Sequence, residues 1–432
     1  MYDDLGPPIE FFAAGETPEE QKTNLKTVMP SPGFEPASEL CADAIIKDAD
    51  VTVLDFSAQQ VTLRFQIDGL WHSGVPMDRE TGDYMLATLK QLAGVDYRER
   101  RARQSGKFGT MYLKKKQKFK LVSQGIKTGE RVALYLDYKR PPLDQCEDLG
   151  MRESMLSQLH TIVNDTEMGL VVTSAVPGEG YTTVWRGTLD TCDRLTRDYF
   201  VIEHVGKNEP EVINIYPVEY DSAKGEDPMS PIPQLMLKQP DVLAFPEIDS
   251  GDLLNRVIDH SIAHKLPTFT RIPGKHCFDA LLRLLVLKPD VQKLADRTSA
   301  VLTMRLIRLL CDDCKIGFQP HPKMLQQLGL PPGRIAELFR PMVYQPGMVD
   351  EDENEIEPCP TCSGIGYRGR TGMFELLVMN DDLRAALVSN PKMDNLAAIA
   401  KRHGHVSMQM EGIVIVASGR TSIEELQRVL KS

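Results

Sequence analysis

The stretch LVVTSAVPGEGYTTVW, residues Leu170–Trp185, has the pattern of a strand, a glycine-containing turn and a helix. Leu170–Ala175 is a short apolar run bounded by turn residues, which is typical of a strand buried on both faces. Gly178 and Gly180 let the backbone turn its N–H groups toward one point, as a phosphate-binding loop requires. The order of these features predicts such a loop at the end of a buried strand.

Three residues of the loop depart from the pattern G-x-x-x-x-G-K-[ST], whose counterpart here is AVPGEGYT, Ala175–Thr182. Tyr181 replaces the lysine that neutralises the outer phosphates, and Pro177 lacks a backbone N–H. Glu179 places a carboxylate beside the position of a polyphosphate. All three changes weaken phosphate binding, and a strand–turn–helix whose glycines only permit a sharp connection stays an alternative.

Length and charge limit the classes of function. At 432 residues the chain predicts two or three domains, and a net charge of -11 argues against a nucleic-acid-binding surface over the whole protein. No apolar run approaches 18 residues. The start, MYDDLGPPIEFFAAGETPEEQ, lacks the positive and apolar regions of a signal peptide, so we expect a cytoplasmic protein. From the net negative charge we expect no nucleic-acid recognition.

Periodicity and composition divide the chain into segments. Residues 1–36 contain scattered prolines and predict a flexible arm, and residues 37–145 predict a small α+β domain. Over residues 146–300 apolar strands alternate with helices, which predicts a largely parallel sheet with ligands at the carboxyl ends of its strands. From about Asp296 onward we expect helices around a cysteine-bearing segment, with the closing helices in residues 377–432.

Four of the eight cysteines form two C-x-x-C pairs, Cys311 with Cys314 and Cys359 with Cys362. Each pair can aim both sulfurs at one point, and four thiolates close a tetrahedron around Zn²⁺. With every ligand supplied by the protein, no position is left for a catalytic water. The spacing therefore predicts a structural zinc within residues 301–376, and four free thiols in a reducing compartment are the alternative.

The order of several motifs resembles the ATPases of type II secretion and type IV pilus assembly. The segments that carry the resemblance over residues 37–432 are RVALYLDYKRPPLDQCEDLGM, the loop at 175–182, VIEHVGK, PDVLAFPEID, MRLIRLLCDDCK, CPTCSGIGYRGRTGMFELLVM and LAAIAKRHGHVSMQMEGIVIVASGRTSIEELQRVL. The resemblance implies a RecA-like P-loop NTPase core over residues 146–300. It also implies a PAS-like small N-terminal domain and a zinc-stapled helical C-terminal region.

The family's motifs place candidate catalytic residues on this sequence. Its aspartate box resembles TIEDPVE, so Glu203 in VIEHVGK keeps one acidic residue while His204 replaces the aspartate. Its Walker B motif resembles DPDVIMVGEIRD, and QPDVLAFPEIDS keeps Glu247. In the histidine box, which resembles GHLVLSTLHTN, His264 is kept and Arg271 stands near the second histidine. The resemblance implies that Glu203 and Glu247 act on Mg²⁺ or the attacking water.

The family also places arginines of its N-terminal domain on the nucleotide, through a segment like KRLPQDGRI. The counterpart ERRARQSGKF offers positive charges at Arg100, Arg101, Arg103 and Lys107. Taken alone, such a cluster favours the alternative of a solvated charged face. The candidate nucleotide-binding residues are Gly178, Glu179, Gly180, Tyr181, Thr182, Thr183, Arg101 and Arg103.

Together these observations predict a family member with weak or no ATP hydrolysis. By resemblance it would be a cytoplasmic subunit of a secretion or pilus-like machine, would form a homo-oligomer such as a hexamer, and would meet platform proteins peripherally at the inner membrane. An active motor that has moved its positive charge to Arg186, Lys207 or an N-domain arginine is one alternative. A zinc-stapled interaction module without ATP or Mg²⁺ is another.

Overall fold

The computed structural model describes residues 9–137, 145–207, 211–330, 335–349 and 353–431. The described residues group into two units. The first draws on Met1–Pro141 and Tyr344–Ile365, and the second on Pro142–Val343 and Gly366–Ser432. Within the described ranges, no helix has the length and apolarity needed to cross a membrane.

The first unit is built on an antiparallel sheet in the order β1-β6-β7-β8-β2-β3-β4, with β5 paired to β3. Side chains alternate between a buried and an exposed face along β8, as expected for a sheet covered on one face. The elements are β1 (Glu10–Phe12), α1 (Pro18–Val28), α2 (Phe34–Ile46), β2 (Ala49–Phe56), β3 (Gln60–Ile67), β4 (Leu70–Ser73), β5 (Met77–Asp78), α3 (Arg79–Leu92), β6 (Gln104–Tyr112), β7 (Lys115–Ile126) and β8 (Gly129–Asp137). This unit therefore contains both helices and strands.

The expectation of a flexible N-terminal arm is wrong for residues 9–36. They form β1 and α1 and the start of α2, and Ile9 and Phe11 are 3% and 1% exposed. The Phe11 ring lies 5.4 Å from the ring of Phe34 and 5.9 Å from that of Phe108. Burial of these side chains orders a segment whose prolines suggest a loop, because tertiary packing overrides local propensity.

The second unit contains a sheet in the order β11-β10-β12-β13-β9-β14-β17. All neighbours are parallel except β14 and β17, which confirms the predicted largely parallel sheet. Its strands are β9 (Leu170–Ala175), β10 (Tyr199–His204), β11 (Ile215–Tyr220), β12 (Val242–Phe245), β13 (Thr268–Pro273), β14 (Thr298–Leu310) and β17 (Tyr367–Val378), and a separate antiparallel pair comprises β15 (Ile316–Phe318) and β16 (Leu338–Arg340).

Helices cover both faces of this sheet, as a parallel sheet requires. Every residue of β9 is buried, with Val171 in the core cluster of Trp185 from one helix and Val172 in that of Leu281 from another. The helices are α4 (Glu153–Val163), α5 (Tyr181–Asp190), α6 (Ile232–Leu235), α7 (Gly251–His264), α8 (Cys277–Val286), α9 (Val291–Arg297), α10 (Pro322–Gln327), α11 (Asp381–Ser389), α12 (Met393–Arg402), α13 (Met408–Ala417) and α14 (Ile423–Lys431).

The expectation that the chain is helical from about Asp296 to the closing helices is also wrong. Strands β14 and β17 pair antiparallel over most of their length and extend the sheet beyond β9. Their sequences are nearly continuous apolar runs, and periodicity alone does not separate a buried strand of this kind from a buried helix. The chain ends with the helices α11–α14.

A buried ion pair attaches α14 to the sheet. Glu425 accepts hydrogen bonds from the Arg308 guanidinium at 2.8 Å and from Arg428 at 2.7 Å. Burial opposes ionisation of Glu425, but these two arginines outweigh burial and hold the pKa of its carboxyl below the ordinary value. The C-terminal helix is therefore fixed by charge as well as by apolar contacts.

Replacing Phe11 with alanine tests whether residues 9–36 belong to the core of the first unit. We expect Phe11→Ala to lower the free energy of unfolding by about 3–5 kcal/mol, because it removes a buried aromatic ring and leaves a cavity. Urea unfolding together with amide hydrogen exchange of β6 would measure the change. Lys22→Ala on the exposed face of α1 is the control, with an expected change within about 0.5 kcal/mol. Equal effects of the two variants would contradict the assignment.

Candidate functional site

The carboxyl ends of the parallel strands bring most of the predicted site residues to one edge of the second unit. Strand β9 leads into the loop of residues 176–180, Glu203 lies near the end of β10, and Glu247 follows β12. Arg271 lies on β13, whose register pairs it with Thr173 of β9. Ligands of open parallel sheets bind at this edge, so the arrangement is that of a candidate nucleotide site.

Both glycines of the loop have left-handed backbones, with φ of 84° at Gly178 and 89° at Gly180. Gly178 has open space around it, so only its backbone conformation favours glycine. At Gly180 a Cβ atom would also lie 2.3 Å from the terminal carbon of Met304, so the Met304 side chain would have to shift to admit a side chain there. The loop thus keeps the geometry of a strand-to-helix turn, with Gly180 as the N-cap of α5.

Tyr181, which replaces the expected lysine, lies against a guanidinium. The guanidinium carbon of Arg271 is 5.0 Å from the centre of the Tyr181 ring and 5.6 Å from that of Trp185. The Arg271 side chain also donates from Nε to the carbonyl oxygen of Pro246 at 3.2 Å, and the residue is only 6% exposed. The buried Arg271 guanidinium is thus separated from the start of α5 by the Tyr181 ring. It is held by two aromatic rings and a carbonyl oxygen.

Glu179 is bound by a second buried arginine. The Nε of Arg305 on β14 donates to the Glu179 carboxylate at 2.6 Å. The Arg305 side chain is 4% exposed and that of Glu179 is 32% exposed. A guanidinium removed from water in this way needs hydrogen-bond acceptors, and the loop itself supplies a carboxylate.

The acidic and hydroxyl residues of the site are distributed along the same edge. Glu203 is half-buried at the end of β10, and Glu247 forms an ion pair with Lys207. His204, in the place of the family's second acidic residue, contacts Ser222 Oγ through Nε2 at 2.6 Å. Thr182 and Thr183 are half-buried in the first turn of α5.

Arg101 and Arg103 lie in the first unit, in the loop that joins α3 to β6. Both are exposed, and the backbone N–H of Arg101 donates to the Glu99 carboxylate at 2.6 Å. Their predicted contact with a nucleotide stays a prediction.

The four predicted cysteines converge. Sulfur atoms of Cys311, Cys314, Cys359 and Cys362 all lie within 4.8 Å of one another. Cys311 follows β14, and its N–H donates to the Gly366 carbonyl at 3.0 Å. The turn that contains Cys359 and Cys362 is closed by two hydrogen bonds, which the N–H groups of Gly364 and Ile365 donate to the carbonyls of Cys359 and Cys362. Zinc–sulfur bonds of about 2.3 Å place tetrahedral sulfurs nearly 4 Å apart, so the thiols present fit a four-coordinate metal.

Comparison with known proteins shows which protein family the chain is related to. Residues 35–428 match the family model of the type II/IV secretion system proteins. The chain belongs to this family. Type II secretion system protein E of Pectobacterium carotovorum subsp. carotovorum is 25% identical over 437 residues, which cover 100% of this chain and 82% of that protein. The type IV pilus assembly ATPase PilB of Thermus thermophilus is 22% identical over 390 residues, 90% of this chain and 42% of PilB.

Solved structures agree on the fold of this type II/IV secretion system family member. The ATPase DotB of Legionella pneumophila superimposes with a TM-score of 0.53 at 10% identity, covering 93% of this chain and 96% of DotB. DotB of Yersinia pseudotuberculosis superimposes with a TM-score of 0.52 at 11% identity, covering 91% of this chain and 92% of that DotB. At such low identity the likeness shows the fold alone, and the predicted resemblance to secretion and pilus ATPases is confirmed by the family match.

Sequence reasoning missed the role of Arg305 in this family member and did not foresee the contact between Arg271 and Tyr181. A signal for Arg305 was present, because VLTMRLIRLL is an apolar strand interrupted by two arginines. Arginines in a buried strand require partners. The sequence does not say that the partner of Arg305 is Glu179, which is 126 residues away along the chain.

Replacing Glu179 with glutamine tests the loop's ion pair in this family member. We expect Glu179→Gln to lower the free energy of unfolding by about 1–3 kcal/mol, because the buried Arg305 guanidinium loses its anionic partner. Thermal and urea unfolding would measure this change. Glu219→Gln, at an exposed position on β11, is the matched control and should change stability by less than about 0.5 kcal/mol. An unchanged stability of Glu179→Gln would contradict the structural role of the pair.

Proposed function

We propose that this chain is a cytoplasmic subunit of a secretion or pilus-like assembly machine whose ATP hydrolysis is weak or absent. The observation that carries the proposal is the charge of the loop. Tyr181 stands where an ammonium group would face the outer phosphates, and the two buried guanidinium groups nearby are held by protein groups. By analogy with the family, the core is a RecA-like P-loop domain.

The missing ammonium group is a large electrostatic loss. A lysine about 4 Å from a phosphate charge contributes on the order of 4 kcal/mol at an effective dielectric of 20. Arg305 does not replace it, because its charge is balanced by Glu179. Glu179 itself opposes a polyphosphate, so the pair contributes little net attraction to an anionic ligand.

The groups that would serve Mg²⁺ are weakened as well. Glu247 is paired with Lys207, and an ammonium group bound to this carboxylate competes with a divalent cation for it. His204 offers a ring nitrogen to Ser222 rather than a carboxylate to the metal. Phosphoryl transfer depends on positioning and on neutralising charge, so these losses act together. Glu203 and Glu247 would hold Mg²⁺ or orient water in any residual reaction.

An active motor is the second candidate, and Arg271 is the observation that favours it. Its guanidinium lies against the Tyr181 ring, so displacement of that ring would let the guanidinium turn toward the loop. In this alternative Arg271 supplies the charge that the lysine supplies elsewhere, and ATP binding loosens the contact with Pro246. Relocation of the charge to Lys207 has less support, because Lys207 is engaged by Glu247.

Turnover of Mg-ATP by the purified full chain tests the two candidates. We expect a rate far below about 1 s⁻¹, the lower end of typical enzymes, because ammonium and acidic groups are both missing or engaged. Tyr181→Lys should strengthen Mg-ATP binding about tenfold or more without restoring turnover, because the Mg²⁺-binding groups remain altered. Isothermal titration calorimetry and a phosphate-release assay would measure binding and turnover.

The Glu247→Gln variant shows whether any measured ATP hydrolysis comes from this chain, because a contaminating ATPase would be unaffected by the substitution. Brisk hydrolysis that collapses in Glu247→Gln and Arg271→Met would establish the active motor and refute our proposal. Absence of both heat and thermal stabilisation with Mg-ATP, even in Tyr181→Lys, would instead favour a zinc-stapled interaction module without nucleotide.

The cysteine cluster is proposed to bind structural Zn²⁺. The donors are four thiols and leave no ligand position open, which suits a metal that stabilises a segment rather than one that activates water. We expect about one zinc per chain by inductively coupled plasma mass spectrometry, and near-complete loss with a lowered Tm in Cys359→Ser. Cys41→Ala, in the core of the first unit, is the control and should keep its zinc. A stable wild-type protein free of metal would contradict the proposal.

Assembly is inferred from the family. We infer a homo-oligomer, with a hexamer as the family's form, that contacts platform proteins at the inner membrane; no nucleic-acid recognition is proposed. Arg101 and Arg103 would approach the nucleotide in such an assembly. Analytical ultracentrifugation with and without Mg-ATP tests the oligomer, and a strictly monomeric chain at micromolar concentration would refute it.

A further inference from the structure

An ion pair between Lys207 and Glu247 lies at the carboxyl edge of the parallel sheet. Strands β10 and β12 are neighbours in this sheet, with Val201 paired to Ala244, so the chain segments that leave them run side by side. Lys207 follows β10 and Glu247 follows β12. Their side chains are 48% and 32% exposed, so the pair is open to a ligand that binds at this edge.

A closed turn holds the backbone of Lys207. Its N–H donates to the carbonyl of His204 at 3.1 Å, and Gly206, the third residue of the turn, has a φ of 83°. A type II β-turn requires a positive φ at this position, and glycine adopts it readily. The His204 ring fixes the start of the turn, because it contacts Ser222 Oγ at 2.6 Å and the Val205 carbonyl at 2.7 Å. Only the side chain of Lys207 is therefore able to move away from Glu247.

A second cation lies beside Glu247. The Nε of Arg271 donates to the carbonyl of Pro246, the residue before Glu247, at 3.2 Å. Arg271 is 6% exposed, so little water screens its charge. A divalent cation on the Glu247 carboxylate would meet the Lys207 ammonium group and lie near the Arg271 guanidinium. Both charges would repel it.

The residues present do not fit Mg²⁺. In nucleotide sites this ion is held by oxygen ligands, usually one or two carboxylates together with the phosphates. The Glu247 carboxylate already contacts an ammonium group. His204 offers ring nitrogens, which suit Mg²⁺ less well than carboxylate oxygens do. A cation of the protein thus lies on the carboxylate where the metal would bind.

An ammonium group is able to do part of what the metal does. It carries several N–H donors, so a contact with Glu247 leaves others for phosphate oxygens. In this role Lys207 stays paired with Glu247 and bridges that carboxylate to the ligand, and it does not replace the lysine of the loop. An ammonium group has a single charge and coordinates no water, which agrees with the weak hydrolysis proposed above.

We infer that the candidate nucleotide site takes its nucleotide without Mg²⁺, with the Lys207 ammonium group in the place of the divalent cation. A metal-free nucleotide carries more negative charge than its Mg²⁺ complex, and Lys207 and Arg271 favour the more negative form. The inference rests on the proposed function, because it takes residues 176–180 for a nucleotide-binding loop. Any residual reaction through Glu203 and Glu247 would require Lys207 to leave the carboxylate.

Isothermal titration calorimetry of the full chain with ADP, in EDTA and in Mg²⁺, tests the inference. Mg²⁺ should not strengthen ADP binding to the native protein. In Lys207→Gln, Mg²⁺ should strengthen ADP binding by about tenfold or more, because no ammonium group opposes the metal on Glu247. Lys207→Arg keeps the positive charge and should behave as the native protein does.

Lys224→Gln is the matched control. Lys224 also forms an ion pair, with Asp221 at 3.5 Å, and follows the neighbouring strand β11. Its side chain is 72% exposed. Loss of this charge should leave ADP binding unchanged in EDTA and in Mg²⁺.

Electron paramagnetic resonance of Mn²⁺ gives a readout that does not depend on turnover. With ADP present, protein-bound Mn²⁺ should appear in Lys207→Gln and should not appear in the native protein. Adding Glu247→Gln to Lys207→Gln should remove the signal again, which assigns the metal to that carboxylate.

Several outcomes would overturn the inference. They are tighter ADP binding with Mg²⁺ in the native protein, protein-bound Mn²⁺ in its ADP complex, no heat with ADP in either condition, and a Lys207→Gln variant of native Tm that stays indifferent to Mg²⁺. Mg²⁺-dependent ADP binding with negligible hydrolysis would overturn only this inference. Brisk hydrolysis of Mg-ATP would instead refute the proposed function.

Discussion

A guanidinium that is taken out of water must be given a partner, and two such groups surround the loop after β9. Arg271 is held by two aromatic rings and a carbonyl, and Arg305 is held by the carboxylate of Glu179. The desolvation cost of each guanidinium fixes these contacts, because removing a partner would leave a buried charge uncompensated. The loop is thereby bound to β13 and β14 by interactions internal to the protein. A phosphate would have to compete with those interactions.

The sheet makes these contacts possible. Strand β9 lies between β13 and β14, both parallel to it, so the residues at their carboxyl ends meet around the loop. The same geometry brings Glu203 and Glu247 to this edge. The arrangement of the candidate nucleotide site thus follows from strand order, while the charges placed on it differ from those in the motifs that the sequence resembles. Membership of the type II/IV secretion system family accounts for the arrangement of the strands, but it does not account for the changed charges.

Charged groups also fix the part of the second unit that follows the parallel strands. Glu425 on α14 binds Arg308 of β14, and the Arg308 guanidinium lies 4.0 Å from the centre of the Tyr367 ring on β17. Tyr367 in turn contacts Ser422 through its hydroxyl at 2.8 Å. Strands β14 and β17 and the last helix therefore form one connected cluster.

The sequence by itself determined the features that depend on neighbouring residues. The apolar run of β9, the two glycines that follow it and the paired cysteines are short patterns with direct physical meanings, and the structure contains the strand, the turn and the sulfur cluster. The ordered segment at residues 9–36, the strands β14 and β17, and the partners of Arg271 and Arg305 were decided only by the tertiary structure. Phe11 is buried, and Arg305 meets Glu179, through contacts between residues far apart in the chain. Local periodicity carries no information about such contacts, because burial and charge pairing are set by which strands become neighbours.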